Sequence, residues 1–153
     1  MLWNRGILIM NLSDYRNHAE NDLIIDETQL DTESLRTPQI HSKYLNFLMD
    51  EKLHLAKLQY EYKVLRRKKW LYYTGKISQE ELEEEGWEPF QLNVLKTDID
   101  KFMESDEDLQ NIDIKIKYKE TVVDYLQDVI KIINNRQWNI RSAIDWLKFT
   151  NGQ

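Results

Sequence analysis

Residues 109–133, LQNIDIKIKYKETVVDYLQDVIKII, carry the most regular apolar pattern in the chain. Their side chains fall on two neighbouring lines at heptad steps, and such a pair of lines predicts a helix with an apolar stripe too broad for one partner helix to cover. The fold is therefore predicted to be all-α, with at least two neighbours around this helix. One line holds Leu109, Ile112, Ile116, Lys119, Val123, Leu126, Ile130 and Ile133; the other holds Tyr118, Val122, Tyr125, Val129 and Ile132.

The chain after this stretch is predicted to fold back as a C-terminal helical hairpin within residues 114–153. Asn134-Asn135-Arg136 interrupts the pattern, and apolar residues from Trp138 to Leu147 indicate a short final helix. So broad a stripe has too little cover within 153 residues, which predicts a closed homo-oligomer larger than a dimer. The candidate oligomerisation residues are Tyr118, Val122, Tyr125, Leu126, Val129, Ile132 and Ile133.

A second long amphipathic helix is predicted in residues 35–76. Thr37 is a favourable N-cap and Pro38 suits a first helical position, where its missing N–H costs nothing. Gly75 should end the helix, because glycine accepts the left-handed conformation found there. Between them, apolar residues recur at three- and four-residue steps, and Glu51 interrupts the line: Ile40, Tyr44, Phe47, Leu48, Leu55, Leu58, Tyr62 and Leu65.

One face of this helix is basic and aromatic. Five of the seven residues from Lys63 to Lys69 are cations, and Trp70 and Tyr73 project to the same side as Lys63, Arg66 and Arg67. A merely solvated face needs no aromatic rings, whereas single-stranded nucleic acid needs cations for phosphates and flat rings for bases. A membrane-surface helix would carry its aromatics on the opposite face. The candidate DNA-binding residues are Lys63, Arg66, Arg67, Lys68, Lys69, Trp70 and Tyr73.

The formal net charge of −6 is unevenly distributed. Residues 35–76 carry 10 basic and 3 acidic groups, whereas residues 77–113 carry 2 and 13. The predicted segments are accordingly an N-terminal part (1–34), the basic helix (35–76), an acidic connector (77–113) and the C-terminal helices (114–153). The chain has no Cys, only four Gly and two Pro, and no apolar run long enough for a membrane helix. A cytoplasmic protein is predicted.

Shorter signals fill in the remaining parts. Ser13 can open a short polar helix ending near Asn21, and Met10 just before it is a possible alternative start. Ser78-Gln-Glu-Glu is a capping-box pattern for a short helix that Gly86 should end. The acidic residues of the connector are better explained as a solvated segment than as a metal site, because the calcium-loop spacing fails at Phe102 and Met103.

No catalytic motif supports an enzyme. The sequence lacks phosphate-loop, dinucleotide, hydrolase-elbow and zincin patterns, and its three His residues are dispersed. Binding is the favoured class, with no catalytic residue, metal or cofactor expected. Two alternatives stay open: a coiled-coil adaptor or assembly chaperone whose basic run docks an acidic protein partner, and a metal-dependent nuclease using the acidic segment.

Several short segments of the sequence, in the same order, resemble the UvsY-type recombination mediator proteins of tailed phages. The resemblance covers roughly residues 24–152. Residues 80–88 and those before Met10 have no clear counterpart, and Gln137 stands where a turn Gly is expected. The matching segments are Ile25-Asp26-Glu27-Thr28-Gln29-Leu30, Ser42-Lys43-Tyr44-Leu45-Asn46, Lys69-Trp70-Leu71-Tyr72-Tyr73-Thr74-Gly75, Val94-Leu95-Lys96-Thr97-Asp98 and Arg136-Gln137-Trp138-Asn139-Ile140-Arg141, followed by Asp145 and Phe149.

The resemblance implies a helical, ring-forming protein that binds single-stranded DNA. Such a protein helps to load a RecA-like (UvsX-type) recombinase onto strands coated by a single-stranded-DNA-binding protein, and it has no catalytic residues. The family's DNA-contact positions correspond to Arg67 and Lys69 here, and its C-terminal helices are the self-association element. These are expectations that the resemblance adds to those based on the residues themselves.

Overall fold

A computed structural model describes residues 10–153. They form five helices and no strand: α1 (Leu12–Asp22), α2 (Leu30–Tyr73), α3 (Gln79–Glu85), α4 (Ile99–Glu104) and α5 (Glu107–Thr150). The all-α prediction is confirmed. The possible start at Met10 concerns the residues before it, which lie outside the described part of the chain. None of the described helices combines the length and apolar character needed to cross a membrane.

The chain divides into two compact units. One comprises the described residues up to Lys52 together with Thr121–Gln153, and the other comprises Leu53–Glu120. Both long helices therefore contribute a segment to each unit. These units do not follow the four segments predicted from charge, because burial groups helix faces that are distant in sequence.

The first unit has a core that α1, α2 and α5 all supply. Tyr44, Val122, Leu126 and Ile133 are completely buried, and Tyr15 of α1 is nearly so. The Tyr15 hydroxyl donates to Glu51 Oε1 at 3.0 Å. Glu51, the interruption in the apolar line of α2, is thus a buried acceptor rather than a solvent-facing residue.

The predicted start of α2 at Thr37-Pro38 is wrong, since the helix begins at Leu30 and Pro38 lies inside it. A proline there removes the hydrogen bond to the carbonyl four residues earlier, that of Ser34. Gln137 of α5 supplies the replacement, because its Nε2 donates to Ser34 O at 3.3 Å and its Oε1 accepts from Ser34 Oγ at 3.1 Å. A contact from another helix thus satisfies the backbone group that Pro38 leaves without its helical donor.

The predicted break at Asn134-Asn135-Arg136 is also wrong, since α5 runs without interruption to Thr150 and forms no hairpin. Asn is a modest helix former and not a breaker, so two exposed Asn residues cost little. Arg136 is 2% exposed and pairs with Glu33 of α2, on the same face as the buried Ile133 and Ile140. The packed face therefore continues through the supposed break.

The shorter elements follow their local signals. Helix α1 begins after an Asn11–Asp14 capping box, slightly before the predicted start at Ser13. The prediction that Gly75 ends α2 is confirmed, since its φ is 70° and Lys76 N–H reaches back to Leu71 O at 2.8 Å. Ser78 caps α3, and left-handed Gly86 ends it, also as predicted.

Substitution of Gln137 and of Pro38 tests whether Gln137 replaces the hydrogen bond that Pro38 removes. Gln137→Ala should lower the free energy of unfolding by about 0.5–1 kcal/mol, because Ser34 O loses its donor. In a Pro38→Ala background the same change should cost much less, since residue 38 then supplies an N–H within the helix. A double-mutant cycle measured by urea unfolding gives the coupling. Equal effects of Gln137→Ala in both backgrounds would contradict it.

Candidate nucleic-acid interface

The exposed cations of the basic run gather around one hollow in the second unit. Lys63, Arg66, Arg67 and Trp70 line a cavity of about 440 Å³ together with Asp100 and Met103. Helical spacing explains the grouping, because residues three and four apart share a face. We call this cavity the basic hollow. It joins the predicted cations and the predicted stacking residue Trp70 in one place.

Trp70 is available at the surface, with 41% of the residue exposed. The Nζ atom of Lys76 lies 4.8 Å from the centroid of its ring. Lys76 follows the end of α2, where a cation is also favourable to the helix dipole. The sequence did not predict that Lys76 lies over Trp70, because this contact depends on the reversal of the chain at Gly75. Lys63 in turn lies over Tyr60, at 5.8 Å from the ring centroid.

Lys69 is placed quite differently from its neighbours in the run. Its side chain is 7% exposed, and Nζ lies 3.0 Å from Asp106 Oδ2 and 2.7 Å from Asp108 Oδ2. The ammonium is also 4.1 Å from the centroid of the Trp87 ring. These contacts explain why a cation occupies an inward position of α2. The charge of Lys69 is thus paired with carboxylates of the same chain, and its role as a DNA contact stays a prediction.

Tyr73 and Lys68 are likewise engaged by the acidic connector. The Tyr73 hydroxyl donates to Asp106 Oδ2 at 2.6 Å, and Lys68 forms an ion pair with Glu85 of α3. Both residues are partly buried. Hydrogen bonding to Glu85 raises the pKa of Lys68. Of the seven predicted residues, the structure groups four at the basic hollow and ties three to carboxylates.

Asp106 is the acceptor at the centre of this network. Its Oδ1 accepts from the Leu109 N–H at 3.0 Å, which caps the start of α5, while Oδ2 accepts from Tyr73 and faces Lys69. Burial by itself would raise the pKa of Asp106, but the hydrogen bonds from Tyr73, Leu109 and Lys69 outweigh burial and lower that pKa. Burial by itself would lower the pKa of Lys69, but its hydrogen bonds to Asp108 and Asp106 hold that pKa above its ordinary value.

The predicted oligomerisation residues also separate by burial. Val122, Leu126, Val129 and Ile133 are at most 2% exposed. They lie in the core of their own chain, and the assignment of the whole set to self-association stays a prediction. Tyr118 and Ile132 are 43% and 51% exposed, and Tyr125 is half-buried. Sequence periodicity could not separate the two groups, because both lie on adjacent lines of one stripe.

The chain is similar to known proteins in both sequence and fold. Residues 18–153 match the model of a family described as "Recombination, repair and ssDNA binding protein UvsY". The chain belongs to the UvsY family. It is 23% identical over 144 residues to the recombination protein uvsY of Enterobacteria phage T4, a match that covers 94% of this chain and all of the relative.

Solved structures of the UvsY family have the same fold. One crystal structure of the bacteriophage T4 recombination mediator protein UvsY superposes with a TM-score of 0.81 at 22% identity, covering 93% of this chain and 98% of that one. A second lattice form gives 0.78 at 20% identity, with 92% and 99% covered. The predicted resemblance to UvsY proteins is thereby confirmed for family and fold.

Replacing Asp106 with Asn tests the network. Asn still accepts from the Leu109 N–H but leaves buried Lys69 with Asp108 alone, so the free energy of unfolding should fall by about 2 kcal/mol near neutral pH. Because the folded-state pKa of Asp106 is lowered, the stabilisation exists above the ordinary Asp pKa of about 4 and disappears as the pH falls through the folded-state value.

Urea unfolding between about pH 7 and about pH 3 measures this effect, and the difference between the two proteins should shrink below about pH 4. Asp98→Asn is the matched control, since Asp98 pairs with an exposed Lys101 and should contribute little. A difference that does not change with pH would show that the charge of Asp106 is not what stabilises the unit.

Proposed function

We propose that this protein binds single-stranded DNA at the basic hollow and acts as a recombination mediator. In this role it helps to load a RecA-like recombinase onto strands coated by a single-stranded-DNA-binding protein. The observation that carries the proposal is the convergence of Lys63, Arg66, Arg67 and exposed Trp70 on one cavity, in a chain of the UvsY family.

The chemistry of the hollow suits a flexible, unpaired strand. Three cations can neutralise successive phosphates and release their counterions, which makes binding salt-dependent. The ring of Trp70 can stack on any base, because every base has a π-face. Neither contact reads a base edge, so affinity should depend little on sequence. That property suits a mediator, which must act wherever coated single strands occur.

The side chains of α2 that face the connector support this function indirectly. Lys69 and Tyr73 join α2 to the carboxylates at the start of α5 and so fix the helix on which the hollow is built. Lys69 therefore acts in this proposal as a positioning residue, and Arg67 is the exposed member of the pair that the family resemblance points to.

We also propose that the protein assembles as a closed homo-oligomer, as a ring-forming mediator would. The C-terminal part of α5 exposes large apolar side chains that its own core leaves uncovered: Trp138, Trp146, Leu147 and Phe149 are between 45% and 75% exposed. Trp146 and Phe149 lie with ring centroids 5.8 Å apart. Exposed aromatic groups of this kind are typical of protein–protein interfaces.

The binding face can be tested by substitution. Arg66→Ala with Arg67→Ala should weaken binding to an oligothymidylate and reduce the log–log salt slope by about 1.4, at about 0.7 for each phosphate that is no longer neutralised. Trp70→Ala should weaken binding with little change of slope, because stacking releases no counterions. Fluorescence anisotropy over a salt series measures both. Lys131→Ala, an exposed cation of the other unit, is the matched control.

The same variants distinguish a mediator from an adaptor for an acidic protein. Arg66→Ala with Arg67→Ala should also abolish stimulation of the cognate recombinase on protein-coated strands. If this variant binds DNA as well as the parent but no longer captures a protein partner, the basic hollow is an adaptor surface. Divalent-ion-dependent cleavage of the strand would instead favour a nuclease.

Charge placed on the exposed aromatics tests assembly. Trp146→Lys with Phe149→Lys should reduce the sedimenting species to smaller ones while leaving helix content unchanged, because neither side chain is in the core. Val122→Lys is the contrasting variant and should unfold the protomer, since Val122 is completely buried. A monomer for the unmodified protein at micromolar concentration would contradict the proposed oligomer.

A further inference from the structure

A second cavity lies beside the basic hollow in the same unit. Its volume is about 510 Å³, within the range of about 300–1,000 Å³ typical of small-molecule sites. Its lining comes from the end of α2 and from the connector between Phe90 and Asp100. We call it the connector cavity. The residues that matter here are Trp70, Lys76, Phe90, Leu92, Asn93 and Lys96.

The inner part of the connector cavity is aromatic and held in place. Tyr73 and Phe90, which both line it, have ring centroids 5.1 Å apart at an interplanar angle of 89°. Tyr73 is fixed by its hydrogen bond to Asp106, and Phe90 packs further on Phe102 with centroids 5.7 Å apart. Walls fixed in this way lose little freedom on binding a flat ligand.

The outer part of the connector cavity is polar and carries two exposed cations. Lys76 and Lys96 line it with the side-chain amides of Gln91 and Asn93, and Asp100 is its one acidic lining residue. Flat apolar walls, amide groups and flanking cations match the three parts of a nucleotide: the ring face, the polar edge of the base and the phosphate.

The connector cavity adjoins the basic hollow, because Trp70 and Asp100 line both. A strand whose phosphates follow Lys63, Arg66 and Arg67 would therefore bring its next base to the mouth of the connector cavity. Leu92, which also lines this cavity, is 64% exposed, so its side chain is not part of the core.

We propose that the connector cavity receives one unpaired base of the bound single strand. This inference rests on the proposed function, since the strand must first lie in the basic hollow. It gives the connector a role that its negative charge conceals: residues 90–100 close a pocket around a base while Lys76 and Lys96 contact the adjoining phosphates. A base paired in a duplex cannot enter, so the cavity would favour single strands over duplex through shape.

The experiment compares two strands of equal length and charge, an oligothymidylate and a fully abasic strand with tetrahydrofuran sugars. The full-length protein should bind the oligothymidylate at least about tenfold more tightly, because stacking of one base already contributes that much. Leu92→Trp, which places bulk at the mouth of the cavity, should remove most of this preference. Leu95→Trp is the matched control, since Leu95 is also exposed but does not line the cavity.

The outcomes separate this inference from the proposed function. If neither strand binds, the proposed function fails and the base site fails with it. If Leu92→Trp keeps the preference of the parent, the preference comes from stacking on Trp70 at the basic hollow and no base enters the cavity. If both strands bind equally, no base is bound at the cavity or on Trp70. Photochemical crosslinking of a 5-iododeoxyuridine strand to the unmodified protein is an independent measurement. Crosslinks at Tyr73 or Phe90, which line only the connector cavity, support the base site, and crosslinks confined to Trp70 or to residues outside the cavity overturn it.

Discussion

The ion pair between Lys69 and Asp106 is the constraint on which the second unit depends. An ammonium and a carboxylate that are both almost inaccessible to water destabilise a protein unless each is fully partnered. Here the partners are supplied by two helices and a loop, through Tyr73, Asp108 and the ring of Trp87. Because Asp106 also caps α5, one carboxylate fixes both where α5 begins and how α2 faces it.

This constraint also determines which charges can serve a ligand. The five cations between Lys63 and Lys69 look equivalent in the sequence. The fold nevertheless separates those exposed at the basic hollow from those that carboxylates of the connector neutralise. Electrostatic attraction of a DNA strand depends on the exposed cations. The acidic connector therefore does not cancel the basic face as a whole. Its carboxylates pair with Lys68 and Lys69 and leave Lys63, Arg66 and Arg67 directed to solvent.

A second buried pair, Arg136 with Glu33, organises the first unit in a comparable way. It lies beside the contact between Gln137 and Ser34, so neighbouring residues of α5 neutralise a buried charge and supply the donor that Pro38 lacks. Both long helices continue through positions at which the sequence pattern predicted a start or a break. Uninterrupted helices hold the buried stripe in register, and the aromatic groups at the end of α5 remain uncovered by their own chain.

The helical class, the C-terminal ends of α2 and α3 and the position of the basic face could be predicted from the sequence, because they depend on periodicity and on local conformational preference at Gly75, Ser78 and Gly86. Tertiary contacts were needed to establish that α2 passes through Pro38, that α5 passes through Asn134, and that Lys69 points inward. Each of these depends on a partner far away in the chain, Gln137, Glu33 or Asp106, and no local pattern contains that information. The connector cavity has the same origin, since its walls come together only when residues 90–100 pack beside Tyr73.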